Sequence, residues 1–193
     1  MKELIPQKAT PSMKLHSRST QITFVLFSVY LIALYWIIVL KFNITAYHDR
    51  VERVINLIPF REAVLFQSPV DWNETLLNIF IFVPFGFYAG ILWEQWSFGR
   101  KVALFFSASF LMEISQYILK VGAFDITDLI NNTAGGVLGL LIFAALERAF
   151  QSRTKAQKLI NIVCVVGTVL IFSFLIFLKL NNLWIFRMQL MKG

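Results

Sequence analysis

Five apolar runs, each near the length of a bilayer-spanning helix, leave this 193-residue chain one broad way to fold. A bilayer's hydrocarbon core is about 30 Å thick, so a helix needs roughly 20 apolar residues to cross it. Ile22–Leu40, Thr75–Trp93, Lys101–Leu119, Leu129–Leu146 and Leu159–Leu178 meet that requirement. In lipid, every backbone N–H and C=O must be satisfied within the protein, and runs of this kind satisfy them as helices. The expected fold class is all-α, a polytopic integral membrane helix bundle of about five transmembrane helices. Residues 1–21 read as a polar, basic tail and 22–146 as the main bundle. Residues 147–158 read as a basic linker, and 159–193 as an additional C-terminal span with a short tail.

Composition excludes an ordinary soluble domain: 58% of residues are hydrophobic and 16% aromatic, against 15% charged. The net charge of +7 raises nucleic acid as a partner. The basic residues lie between apolar runs, however, where they set topology and meet anionic lipid. The bilayer is the expected partner, and nucleic acid is not. Cys164 is the single cysteine, and His16 and His48 lie far apart outside the spans. No disulfide, metal site or cofactor is expected from them. Trp72, Trp93, Trp96 and Trp184 suit interfacial belts.

An odd number of spans puts the termini on opposite sides. Basic residues are packed most tightly on the side of the N-terminus, in short segments that include Lys2, Lys8, Lys14, Arg18, Arg100, Lys101, Arg148 and Arg153. That bias predicts a multi-pass membrane protein, N-terminus cytoplasmic and C-terminus extracytoplasmic. In the long connection Lys41–Glu74, apolar Val51, Val54, Ile55 and Ile58 alternate with charge. Either a short interfacial helix ended near Pro59 or an ordinary folded loop accounts for that pattern.

Against this apolar background the polar residues stand out. Asn78, Glu113, Gln116, Asp125, Asp128, Asn131 and Asn132 fall in or beside the spans. An ionised group at the bilayer centre costs about 3 kcal/mol on insertion scales, so such groups face protein or water. The alternating direction of successive spans brings all seven to one end of the bundle, the outer end in the orientation above. Asp128 reads as an N-cap of the fourth helix, with Asn131 and Asn132 serving nearby backbone donors. Glu113 and Gln116 share a helical face. Glu113 is either a neutral acid bonded to Gln116 or Asn78, or a proton carrier, general acid or ligand contact. Carboxylates at Glu113, Asp125 and Asp128 also offer a weak divalent-cation reading.

Glycines carry the packing argument. Gly135 and Gly139, with Gly136 beside them, allow close helix approach, as do Gly86 and Gly90 after Pro84. Pro84 removes a backbone donor and is expected to kink its helix. Walker loops, nucleophile elbows, dinucleotide fingerprints and HExxH motifs are all missing. Whether the protein is an enzyme stays open.

Four segments resemble the VanZ-like family of small bacterial membrane proteins, over about Val54 to Leu146. They are Asn56-Leu57-Ile58-Pro59-Phe60, then Asn78 through Pro84-Phe85-Gly86, then Glu113-Ile114-Ser115-Gln116, and finally Asp125-Ile126-Thr127-Asp128 through Asn131-Asn132-Thr133-Ala134-Gly135-Gly136. Many members carry an arginine just before the acidic motif, where this chain reads Gly122-Ala123-Phe124. The resemblance implies a cell-envelope role connected with low-level resistance to the glycopeptide teicoplanin. The corresponding expectation is a pocket at the outer leaflet, formed by Asn78, Glu113, Gln116, Asp125, Asp128 and Asn131. It would bind or process an amphipathic, lipid-linked or lipid-tailed ligand. A small proton-coupled transporter and a structural membrane interaction module are the alternatives.

Overall fold

The computed structural model describes residues 18–39 and 54–180, so the N-terminal tail, the start of the long connection and the C-terminal tail lie outside it. In chain order the elements are α1 (Arg18–Ile38), β1 (Ile55–Asn56), α2 (Arg61–Phe66) and α3 (Trp72–Leu92), followed by α4 (Phe98–Leu119), β2 (Phe124–Asp125), α5 (Ile126–Phe150) and α6 (Arg153–Leu180). The molecule is an all-α bundle. Its α1, α3, α4 and α5 helices are each long and apolar enough to cross a membrane. The fifth expected span falls within α6.

Capping explains where the helices begin. Asp71 Oδ1 accepts the N–H groups of Asn73 at 2.9 Å and Glu74 at 3.1 Å, starting α3 ahead of its apolar run. Asp125, not Asp128, is the N-cap of α5: its Oδ1 accepts the Thr127 N–H at 2.7 Å. Asp128 consequently lies in the first turn, with its side chain free to reach another helix. The segment expected as a basic linker is helical at both ends. It completes α5 and opens α6, leaving a reversal at Gln151, whose φ is 47°.

The centre of the bundle is the contact between α3 and α5, the most extensive between any two helices. Glycines make it close. Gly135 packs on the Ile79 carbonyl and Gly139 on the Val83 carbonyl, while Gly86 packs on the backbone of Gly136 and Leu140. Gly136 itself faces the Phe105 ring of α4, and Gly90 faces Phe143. Around this seam, Phe27, Phe82, Phe85, Tyr88 and Phe105 form a buried aromatic core. Pro84 lies inside α3, which continues through it to Leu92. Nearby, the Tyr30 hydroxyl donates to the Ile81 carbonyl at 2.8 Å, tying α1 to this part of α3.

At one end of the bundle Arg153 fastens the start of α6. Its guanidinium donates to the Gly90 carbonyl at 2.6 Å, one of the last acceptors of α3, and pairs with Glu94 and Glu147. This is the favourable placement of a cation at a helix C-terminus. Further along, the Thr23 hydroxyl donates to Asn161 Oδ1 and accepts from Gln157 Nε2, both at 3.0 Å, joining α1 to α6.

Of the two readings of the long connection, the described part does not follow the interfacial helix ending near Pro59. Residues 55–56 form β1, and helix begins only after the proline, with α2. The reason is local and tertiary together. Pro59 disfavours helix in the residue before it, and the side chain of Asn56 is held by Asp125.

Candidate functional site

The site forms at the other end of the bundle, where α3 and α5 start and α4 ends. Here β1 and β2 pair in parallel, Ile55 opposite Phe124 and Asn56 opposite Asp125. Two residues per strand make a minimal ladder, and side chains reinforce it. Asn56 Nδ2 donates to Asp125 Oδ2 at 2.9 Å, and the Phe60 N–H donates to the Thr127 hydroxyl at 3.0 Å. The Asn-Leu-Ile-Pro-Phe segment is thus laid along the start of α5 by its acidic motif. Asp125 is central to this join, since its two carboxylate oxygens hold different segments.

Glu113 supports the same residue from behind. It is fully buried, and its Oε2 accepts the backbone N–H of Asp125 at 2.8 Å. Asn78 and Gln116, the partners considered for a neutral Glu113, each donate to another acceptor. Gln116 Nε2 donates to the Ile38 carbonyl at 2.8 Å, tying α4 to the end of α1. Asn78 Nδ2 donates to Asp128 Oδ1 at 2.6 Å, a charge-assisted bond across the α3–α5 seam. Asn132 turns to α4, where its Nδ2 donates to the Ser109 hydroxyl at 2.9 Å. It does not serve the backbone donors of α5.

Glu113→Leu is expected to destabilise the protein by about 2 kcal/mol, because the Asp125 N–H loses a buried acceptor. Glu113→Gln keeps an accepting oxygen and should unfold near the wild-type temperature. Thermal unfolding of both variants in detergent checks this. A Glu113→Gln variant as unstable as Glu113→Leu would show that the carboxylate's charge, not its acceptor oxygen, is what the site requires.

A cavity of about 460 Å³ opens in front of these bonds. Of the residues singled out in the sequence, Asp125, Asp128 and Asn131 line it. Asn78 does not line it, but holds Asp128, which does. Glu113 and Gln116 are buried behind it and do not line it. The rest of the polar lining was missed from sequence: Asn56, Arg61, Ser68, Asp71, Glu74, Thr75 and Thr127. Asn56 and Thr127 lay within quoted motifs, so a signal was available. Arg61, Asp71 and Glu74 looked like ordinary loop charges.

Arg61 supplies a cation to the cavity that Asp125 lines, although the chain has no arginine directly ahead of the acidic motif. Among the described residues, no group of three or more His, Cys, Asp or Glu side chains is placed to hold a metal ion. Outside the cavity, Leu57, Val64, Leu65, Phe66 and Trp72 are all exposed, an apolar border just after β1, on α2 and at the start of α3.

Comparison with known proteins points to one family. No solved structure matches the chain. Protein VanZ of Enterococcus faecium is 32% identical over 158 residues, covering 81% of this chain and 94% of that protein. The family model described as VanZ/LLP1 matches residues 27–148, reaching back from the four motifs into α1. With the motif residues gathered at one end of a helical membrane bundle, the chain belongs to the VanZ/LLP1 family.

Proposed function

We propose that this membrane protein acts in the cell envelope, receiving an amphipathic, lipid-linked or lipid-tailed ligand whose polar part enters the cavity between the starts of α3 and α5. Low-level protection against teicoplanin is the physiological outcome this reading favours. The observation that carries it is the pairing of a polar cavity with an exposed apolar border on the same end of the bundle. A ligand with a polar head and a lipid tail matches both surfaces at once. The Lys/Arg bias of the connections favours an extracytoplasmic opening, with the N-terminus in the cytoplasm.

The close packing of Gly135 and Gly139 against α3 supports a pocket over a transport path. It closes the seam directly beyond the cavity. The polar residues act by binding and orienting; whether a reaction follows is not required by the reading.

The test is teicoplanin susceptibility of a deletion strain complemented with wild type or with Asp128→Asn, membrane levels being matched. Wild type should restore protection, and Asp128→Asn should not, since the charge that holds Asn78 and lines the cavity is gone. Unchanged susceptibility on deletion and on overexpression would remove the resistance assignment.

A further inference from the structure

The cavity's charge and its uncommitted polar groups point to the chemistry of the ligand's head. Among the described residues, four carboxylates line it, those of Asp71, Glu74, Asp125 and Asp128, against one cation, Arg61. The N-termini of α3 and α5 also face this end, and each helix N-terminus carries roughly half a positive charge. Together with Arg61 they offset about two of the four negative charges. The described lining remains anionic, which disfavours a phosphate or pyrophosphate head and favours a cation.

A second, independent observation marks the cavity as a binding site. Thr75 and Asn131 are only 8% and 5% exposed, and both line it, one from each side of the α3–α5 seam. Neither side chain makes a hydrogen bond to any described residue. Their polar atoms are open to the cavity, so a hydroxyl and an amide from opposite helices are placed to meet the same polar ligand. Glu74 is likewise without an ion pair or side-chain hydrogen bond among the described residues.

We infer that the cavity takes an ammonium-bearing headgroup, its N–H donors shared among the carboxylates and the oxygens of Thr75 and Asn131. This deepens the preceding proposal and rests on it.

Full-length protein in a neutral detergent would be titrated with three probes: dihexanoyl phosphatidylethanolamine, dihexanoyl phosphatidylglycerol and free ethanolamine. Binding would be followed by thermal stabilisation and by isothermal titration calorimetry. The expected result is binding of the ethanolamine lipid about tenfold or more tighter than the glycerol lipid, the effect of one charge-assisted contact. Glu74→Gln, which breaks no side-chain bond among the described residues, should weaken the ethanolamine lipid about tenfold and leave the glycerol lipid unaffected. Asn131→Ala provides a second variant on the opposite helix, with the same expectation.

Equal binding of the two lipids, or no loss in Glu74→Gln and Asn131→Ala, would overturn the ammonium assignment while leaving an amphiphile pocket in place. Binding of neither lipid would overturn the pocket reading itself. Free ethanolamine binding as tightly as its lipid would support the ammonium site and overturn a lipid source for it.

Discussion

Gly135→Leu is expected to remove most of the protein from the membrane fraction. A side chain at this position meets the Ile79 carbonyl and lies within 3.0 Å of the Ile79 Cα. Overpacking a core usually costs about 1–3 kcal/mol, because neighbouring side chains give way. Here the neighbour is backbone in the middle of α3, and it cannot move without displacing the helix. Gly139 and Gly86 meet backbone in the same seam, so α3 has no room to slide along α5 instead. Displacement would also separate Asn78 from Asp128, whose 2.6 Å bond spans that seam. Even Gly135→Ala should lower the unfolding temperature clearly. Gly99→Ala is the control: nothing lies within 4 Å of a Cβ there, and replacing a helical glycine should be neutral or stabilising by about 0.5–1 kcal/mol. Membrane abundance and thermal unfolding in detergent measure both. Wild-type abundance and stability of Gly135→Leu would mean that α3 and α5 do not pack this way.

Asp125→Ala is expected to abolish the site and to destabilise the protein by about 2 kcal/mol. It removes the N-cap of α5, worth about 1 kcal/mol, and leaves the Asn56 amide without its acceptor. Asp125→Asn separates these effects. Asparagine caps a helix about as well as aspartate, so α5 should keep its start. Its amide, however, can present an NH₂ group to the NH₂ group of Asn56, and the join between β1 and β2 should loosen. That variant should accumulate normally yet fail to restore teicoplanin protection in a deletion strain. Combining it with Asn56→Asp exchanges donor and acceptor across the same gap and should recover much of the lost stability. A double variant no more stable than Asp125→Asn alone would show that the Asn56–Asp125 bond does not hold the two segments together.

The sequence made the scale of the fold legible but misplaced its edges. Apolar run length located α1, α3, α4 and α5 to within a few residues. Caps then extended α3 back to Trp72 and α5 back to Ile126. Asp125 and Asp128 are three residues apart and both are good caps, so composition alone could not say which one ended the loop. The β1–β2 ladder was invisible because two residues carry no periodicity. Its partners are also 69 residues apart in the chain, as measured by the Asn56–Asp125 bond. Arg61, Asp71 and Glu74 join the cavity through the path of the connection, which no local pattern encodes.

By itself, the sequence determined that this chain is a helical membrane bundle with its polar motifs at one end. Hydrocarbon admits only backbone that satisfies itself, and successive spans must alternate in direction. Which polar groups meet there was decided by the tertiary structure alone. Asn78 faces Asp128, and Glu113 holds the Asp125 N–H rather than Gln116. The first depends on the rotation and register of α3 against α5, and the others on how α1 and the link to α5 pack against the end of α4. Glycine permits that close approach wherever it occurs, but only the packed backbones select one rotation, and with it one cavity.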